Sequence, residues 1–234
     1  RAMTLTPYGR PVWRALLLAG AALAAAALAA GRAGLALPPL LAALAGAAFF
    51  RDPARRLPKG TGLFTAPADG LLDDLALLEG EAAQAALPGC NRVHRIGLFL
   101  SVFDVHVNRA PCDFTVTRDH HRPGGYRDAR DTAATRFNEA HTLIGTTPGP
   151  DGAPLPLAVR QIAGRIARRI VCAARTGDTL ARGQRYGMIR FGSRTELYLP
   201  AIPEIEIVAP RRARATGGVT VLARYRTGSP AARP

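Results

Sequence analysis

The chain has 234 residues, enough for one domain with a real core and some extra, and a formal net charge of +14 that is almost all arginine. Such an excess suits anionic partners, but aromatics make up only 6 % and are not interleaved with the arginines, which argues against nucleic-acid binding and for a lipid surface. Cys90, Cys112 and Cys172 are odd in number and lack a Cys-x-x-Cys spacing, so neither a disulfide framework nor a zinc site is expected.

Residues 1–14 form a basic N-terminus with Arg1, Arg10 and Arg14. Residues 15–50 follow with a single charge, Arg32, in a sequence of Ala, Leu, Gly, Pro and Phe. Two apolar stretches, 12–30 and 33–50, each approach the roughly 20 residues of a spanning helix. Gly31, Arg32 and Gly34 mark a turn between them, which predicts a helical membrane hairpin. Pro38 and Pro39 weaken the second helix, so spanning and dipping into one leaflet both stay open, as does a buried hairpin in a soluble protein. Arg51, Arg55, Arg56 and Lys59 follow the pair, and by the positive-inside rule both flanks are cytoplasmic.

Residues 51–209 read as a separate soluble domain. From Pro58 on, Gly and Pro recur every few residues between short apolar runs, which predicts a mainly β (α+β) domain. The clearest strand is 95–108, whose second half alternates Phe103, Val105 and Val107 against Asp104, His106 and Asn108. Residues 157–172, with Ile162, Ile166 and Ile170, read as a strand followed by a short helical turn. In 176–200, Gly177, Gly183 and Gly187 punctuate short strands. The loosely similar segments 60–72 and 177–191 suggest a β-sandwich/barrel hybrid resembling lipoyl-like domains. Residues 210–234, with Arg211, Arg212, Arg214, Arg224, Arg226 and Arg233 and no acid, read as a basic tail suited to anionic lipid.

Serine occurs only at Ser101, Ser193 and Ser229. Ser101 falls in an apolar strand and Ser229 in the tail, which leaves Ser193, preceded by Gly192. A serine hydroxyl can attack the carbonyl before it, and glycine leaves that carbonyl open. From the dipeptide alone, a plain Gly-Ser bulge or turn between two strands is the commoner reading. Asp69, in Pro67-Ala68-Asp69-Gly70, has the setting of a turn aspartate bonded to its own backbone. His106 shares its face with Asp104 and Asn108, which makes a polar site there plausible. His120, His121 and His141 lack carboxylates or cysteines at metal spacing, and no GxGxxG or Walker pattern occurs, so no metal and no nucleotide cofactor are expected.

Six stretches taken in order resemble the short prokaryotic branch of the phosphatidylserine decarboxylases. They are Phe49-Phe50-Arg51-Asp52-Pro53, Pro67-Ala68-Asp69-Gly70, Phe103-Asp104-Val105-His106-Val107-Asn108-Arg109, Gln161-Ile162-Ala163-Gly164, Ala167-Arg168-Arg169-Ile170 and Gly187-Met188-Ile189-Arg190-Phe191-Gly192-Ser193-Arg194. The resemblance implies self-cleavage between Gly192 and Ser193 into 1–192 (β chain) and 193–234 (α chain). It also implies a covalent pyruvoyl group made from Ser193, and decarboxylation of phosphatidylserine to phosphatidylethanolamine through a Schiff base with that group. Asp69 is assigned by it to self-cleavage and His106 to acid–base work.

Arg109 stands where the longer branch has a second histidine, and is a candidate for holding a phosphate or carboxylate, with Asn108 and Arg168 as further substrate contacts. Asn138-Glu139-Ala140-His141 departs from the family's Asn-Glu-Arg-Asn. The implied partners are the phospholipid substrate, an anionic cell membrane and the chain's own cleaved half as an α/β heterodimer, with a dimer of these left open. An ether-lipid substrate and a non-catalytic, membrane-tethered lipoyl-like adaptor are the alternatives.

Overall fold

The computed structural model describes residues 3–131, 136–165, 169–190 and 193–226. The chain divides into two compact units, Arg1–Ala54 and Arg55–Pro234. The first unit extends past residue 50 because β2 (Arg51–Pro53) pairs antiparallel with β1 (Met3–Leu5).

Between those strands lie α1 (Arg10–Ala29) and α2 (Leu37–Ala48). Alanine and leucine, both strong helix formers, fill α1. Its end is closed by a Schellman arrangement: the Gly31 N–H donates to Leu28 O (2.9 Å), the Arg32 N–H donates to Ala27 O (2.9 Å), and Gly31 takes a φ of 71°. Pro38 and Pro39 occupy the first turn of α2, where a missing N–H costs nothing, so they start this helix instead of weakening it.

The two helices pack through small residues. A Cβ added to Gly20 would sit 2.5 Å from the Ala43 Cβ, and Ala24, Ala43 and Ala47 are buried. Leu18, Leu23, Leu28, Leu41 and Leu44 point outward. Pro7–Ala29 is long and apolar enough to cross a membrane. The 12 residues of α2 reach only about 18 Å against a hydrocarbon core of about 30 Å, so two spanning helices of equal length are not what this sequence forms.

The second unit is built of strands. In chain order they are β3 (Leu63–Thr65), β4 (Gly70–Glu79), β5 (Arg92–Leu100), β6 (Val107–Arg109), β7 (Phe114–Arg122), β8 (Ala140–Pro148) and β9 (Pro154–Ile162). Then come β10 (Ile170–Cys172), β11 (Thr179–Leu180), β12 (Arg185–Ile189), β13 (Ser193–Pro200), β14 (Ile205–Ile207), β15 (Arg214–Ala215) and β16 (Val221–Tyr225). One short helix, α3 (Glu81–Ala86), joins β4 to β5.

A curled eight-stranded sheet has the order β11-β7-β8-β9-β13-β5-β4-β15, and two three-stranded sheets have the orders β10-β12-β6 and β14-β16-β3. The main core holds Leu72, Ile96, Leu98, Val116, Leu143, Leu157, Leu197 and Leu199 from the large sheet, with Phe64, Tyr186 and Leu222 from the small ones. A smaller cluster under α3 joins Ala83, Leu87, Val93, Ala158 and Tyr198 on the sheet's other face. The mainly β, sandwich-like expectation holds.

Two expectations are corrected in this unit, and part of a third falls outside the described residues. The strand predicted over 95–108 stops at Leu100, and β6 belongs to a different sheet. The Asp104 carboxylate accepts from both the N–H (2.8 Å) and the hydroxyl (2.7 Å) of Ser101, closing a turn that competes with strand extension. Phe103 is accordingly 84 % exposed, while Asp104, His106 and Asn108 are buried along with Val105 and Val107.

Residues 210–226 are no tail. β15 pairs with β4, β16 lies between β14 and β3, and Leu222 and Ala223 are core residues. Finally, 157–172 contains two strands, and Ile166, in the expected helical turn, lies outside the described residues.

Candidate active site

One end of the large sheet collects most of the chemistry. β4 starts at Gly70, β5 ends at Leu100 and β13 starts at Ser193, with Ser193 paired to Leu100 and Leu71 paired to Phe99. The approach at Gly70 is tight enough to require glycine, since a Cβ there would lie 2.5 Å from the Phe99 carbonyl oxygen. Asp69 therefore precedes β4, the turn of residues 101–106 follows β5, and Ser193 heads β13, all at the same sheet end. The Ile189 N–H donates to His106 O (3.3 Å), tying that turn to the segment leading into Ser193.

Ser193 is fully buried, and its Oγ has no hydrogen-bond partner among the described residues. Buried hydroxyls are normally bonded, because an unmet one costs about 1–3 kcal/mol. Gly192, the other half of the expected cleavage site, lies outside the described residues, as does Arg168.

His106 is completely buried, and its Nδ1 is 3.0 Å from the Asp104 main-chain oxygen. Asp69 does not bond its own backbone, as a simple turn aspartate would. It takes the Gly217 N–H on Oδ1 (2.7 Å) and Arg55 Nη2 on Oδ2 (2.7 Å). Burial pushes its pKa above the ordinary aspartate value, outweighing Gly217 and Arg55, and the charge of Asp104 adds to the rise.

Asp104 goes the other way. Burial raises it, but the hydrogen bonds from Ser101 and the Arg214 ion pair (2.7 Å) hold it below the ordinary value. The sequence pointed to Asp104 only as a neighbour of His106. Its position two residues before the histidine and three after Ser101 is the signal that marks it.

The remaining predicted contacts are engaged elsewhere. Asn108 is fully buried, donating to Thr195 Oγ1 (3.1 Å) and accepting from Gln161 Nε2 (2.8 Å), so its amide clasps β6, β9 and β13 together instead of facing a substrate. Arg109 is also buried, with Nη1 directed to the Gly183 carbonyl (3.2 Å).

Two cationic groups were missed. Arg190 donates its N–H to Arg169 O (3.2 Å), and burial, followed by the charge of Arg169, depresses its pKa. On the opposite face of β13, Arg194 is fully buried, with Nε on Glu196 (2.8 Å), Nη1 on Asp73 (2.7 Å) and Nη2 near Asp74 (3.2 Å). Glu196 is its same-face neighbour two residues along β13, but only long-range folding brings Asp73 and Asp74 to it. All three cysteines are free thiols. Among the described residues, no group of three or more His, Cys, Asp or Glu side chains is placed to hold a metal ion.

The sequence profile of phosphatidylserine decarboxylases matches residues 44–223, which includes every element of this sheet end. The chain belongs to the phosphatidylserine decarboxylase family. Similar relatives, each named phosphatidylserine decarboxylase proenzyme, agree. The one from Rhodopirellula baltica is 41 % identical over 194 residues, covering 83 % of this chain and 77 % of its own. That from Rhodococcus jostii is 45 % identical over 186 residues, covering 79 % and 74 %. That from Mycolicibacterium smegmatis is 42 % identical over 206 residues, covering 87 % and 84 %.

Proposed function

We propose that this protein processes itself at Ser193 and then converts phosphatidylserine to phosphatidylethanolamine at the cytoplasmic face of a cell membrane. The observation that carries the reading is the buried Ser193 Oγ, unpartnered among the described residues, at the head of a strand beside the His106 turn. Family membership supplies the substrate class, and the sheet end supplies the groups.

Self-cleavage begins with removal of the Ser193 Oγ proton. His106 is suited to take it. A carbonyl oxygen can only accept, so Nδ1 carries the hydrogen toward Asp104 O, and Nε2 keeps its lone pair. The Oγ then bonds to the carbonyl carbon of residue 192, the C–N bond breaks, and the departing amine takes the proton. The peptide link has become an ester.

Loss of the Ser193 Cα proton next breaks the Cβ–Oγ bond and frees residue 192 as a carboxylate. The dehydroalanine left at 193 tautomerises and hydrolyses with loss of ammonia, giving a pyruvoyl group. Asp69, with its raised pKa, is the second group able to take or return a proton in this sequence.

The site fits a pyruvoyl group, since residue 193 is enclosed and its side-chain oxygen makes no bond to a described residue that would have to be broken. Once formed, that group supplies an electron-accepting carbonyl conjugated to an amide. The chain's own residues do the rest: burial excludes water, and His106 holds a proton for the α-carbon after carbon dioxide leaves. The neighbouring cations Arg169 and Arg190, with Arg168 between residues 167 and 169 of the sequence, are suited to the headgroup phosphate.

The apolar helix α1 supports membrane attachment. Arg10 and Arg14 at its N-terminal end, Arg51 and Arg55 after α2, and Arg32 alone between support a cytoplasmic catalytic unit. The two halves are expected to stay together as an α/β heterodimer on an anionic membrane.

Intact-mass analysis of the purified protein tests the proposal. Wild type should give two chains, with the 193–234 fragment lacking its N-terminal amine and reacting with hydroxylamine, and Ser193→Ala should give one. An undivided wild-type chain with no carbonyl reactivity ends the proposal.

A further inference from the structure

The face of the large sheet turned away from the Ser193 hydroxyl carries a feature that self-cleavage and decarboxylation do not use. Strand alternation puts Arg118, His120 and Arg122 of β7 on one face, and the register sets Thr142 between His120 and Arg160 of β9. Thr142 and Ile144 on the intervening strand floor an open cavity of about 300 Å³, flanked by the cations on either side, that also reaches Tyr198 and the end of α3. That is the lower end of the roughly 300–1,000 Å³ of small-ligand pockets. Among the described residues no carboxylate lines it, although Glu81 and Glu196 line the adjoining cavity that shares Arg122 and Arg160.

The nearest acid by register is Glu196, opposite Arg160. Both its oxygens are taken, one by Arg194 Nε (2.8 Å) and the other by the Tyr198 hydroxyl. Arg160 is half-buried, and its Nε is buried without a partner among the described residues. Arg122 has one Nη on Asn138 O (2.9 Å), and burial, followed by the charge of Arg160, lowers its pKa. A merely solvated arginine row would keep its guanidiniums apart in water. Here Arg122 and Arg160 are both half-buried and line the same cavity, with the Tyr198 hydroxyl bonded to Arg160, an arrangement that a multivalent anion with several acceptor oxygens complements.

We propose that the cavity bounded by Arg118, His120, Arg122 and Arg160 is a second ligand site, selective for a phosphomonoester group. The donors and the volume fit phosphate with a short substituent, carried either by a soluble molecule or by the headgroup of a lipid such as phosphatidic acid. Tyr198 links the cavity through Glu196 and Arg194 to the strand that Ser193 begins.

The test uses the full chain in detergent at fixed ionic strength, titrated calorimetrically with glycerol 3-phosphate and, as the uncharged control, glycerol. Variants are Arg160→Gln, Arg118→Gln and, as a control of equal charge, Arg224→Gln, whose partner Glu206 is on another sheet. Arg118 is exposed, so its replacement keeps the test sound should Arg160→Gln fold poorly. A second arm measures co-sedimentation with phosphatidylcholine vesicles, with and without phosphatidic acid.

Glycerol 3-phosphate, and not glycerol, should bind wild type and Arg224→Gln alike, with affinity at least tenfold weaker in Arg118→Gln and Arg160→Gln. Extra binding to phosphatidic-acid vesicles that Arg118→Gln alone loses, relative to Arg224→Gln, identifies a lipid as the source, and its absence identifies a soluble ligand. The site is overturned if neither ligand form binds wild type, or if Arg118→Gln binds both as wild type does.

Discussion

The Nδ1 of His106 lies 3.0 Å from the main-chain oxygen of Asp104, two residues earlier in the same turn. Because that oxygen has no hydrogen to give, the bond selects one tautomer and leaves Nε2 as the basic nitrogen. The turn itself exists because Asp104 binds Ser101 through its side chain. His106→Gln should therefore fold and yet cleave more slowly by roughly 10²–10⁴-fold, the usual worth of a positioned acid–base group. The rate at which the shorter chain appears on a denaturing gel after synthesis measures this, and unchanged cleavage would remove His106 from the chemistry.

Asp69 gives a pH dependence with a definite sign. Its folded pKa is raised, so its contribution to stability is fully present below the unfolded value near 3.8 and is lost as pH rises through the folded value. Ionised Asp69 is the more strained form and the more reactive one. Self-cleavage of wild type is expected to fall on acidification with a midpoint above 3.8, and Asp69→Asn should cleave slowly at every pH. A stopped-flow or quench series from about pH 4 to 7, bracketing the carboxylate range, reads it. A wild-type profile flat across that range would contradict the assignment.

Arg194 should matter more for stability than for chemistry. Replacing it with methionine leaves Glu196 and Asp73 without their ion-pair partner, while Asp74 keeps Arg95 (2.6 Å), and breaking a buried pair this way costs about 3–5 kcal/mol. Urea unfolding in the uncleaved Ser193→Ala background gives the number directly. Gly97→Ala is expected to act on the same network, because its Cβ would come within 1.9 Å of Arg194 Nη2.

The outward leucines of α1 separate a membrane helix from a soluble one. Leu18 and Leu23 are exposed, so arginine at either is harmless in water but costs about 2.5–3.5 kcal/mol at the centre of a bilayer. Leu18→Arg with Leu23→Arg should shift the protein from the carbonate-resistant to the extractable fraction. Retention equal to wild type would mean that α1 does not lie in lipid.

Much of the architecture was legible because it rests on local signals. Gly31 terminates α1, glycines separate the short strands, and the scarcity of serine isolates Ser193. What escaped depends on contacts distant in sequence. Alternation across 95–108 looked like one strand because hydropathy does not reveal that Asp104 will bind Ser101. Residues 210–226 looked like a cationic tail because arginine dominates them, while Leu222 and Ala223 carry the burial. Asn108 looked available to a ligand, yet Thr195 and Gln161 bond its amide, and Arg109 directs one Nη to Gly183 O. At Pro38 and Pro39, a residue type known to break helices turned out to begin one.

β13 is flanked on both sides, by β9 and β5, and the strands after it are sewn into two different sheets. A nick ahead of Ser193 would thus convert one polymer into two without loosening either, much as cutting a thread inside a weave frees no cloth. Unfolding would turn from a unimolecular into a dissociative event, so recovery from denaturant would depend on protein concentration only in nicked molecules. Such molecules would also carry an altered residue 193 that the ribosome cannot supply, which makes the maturation irreversible in kind: once melted and separated, the pieces have no precursor to return to.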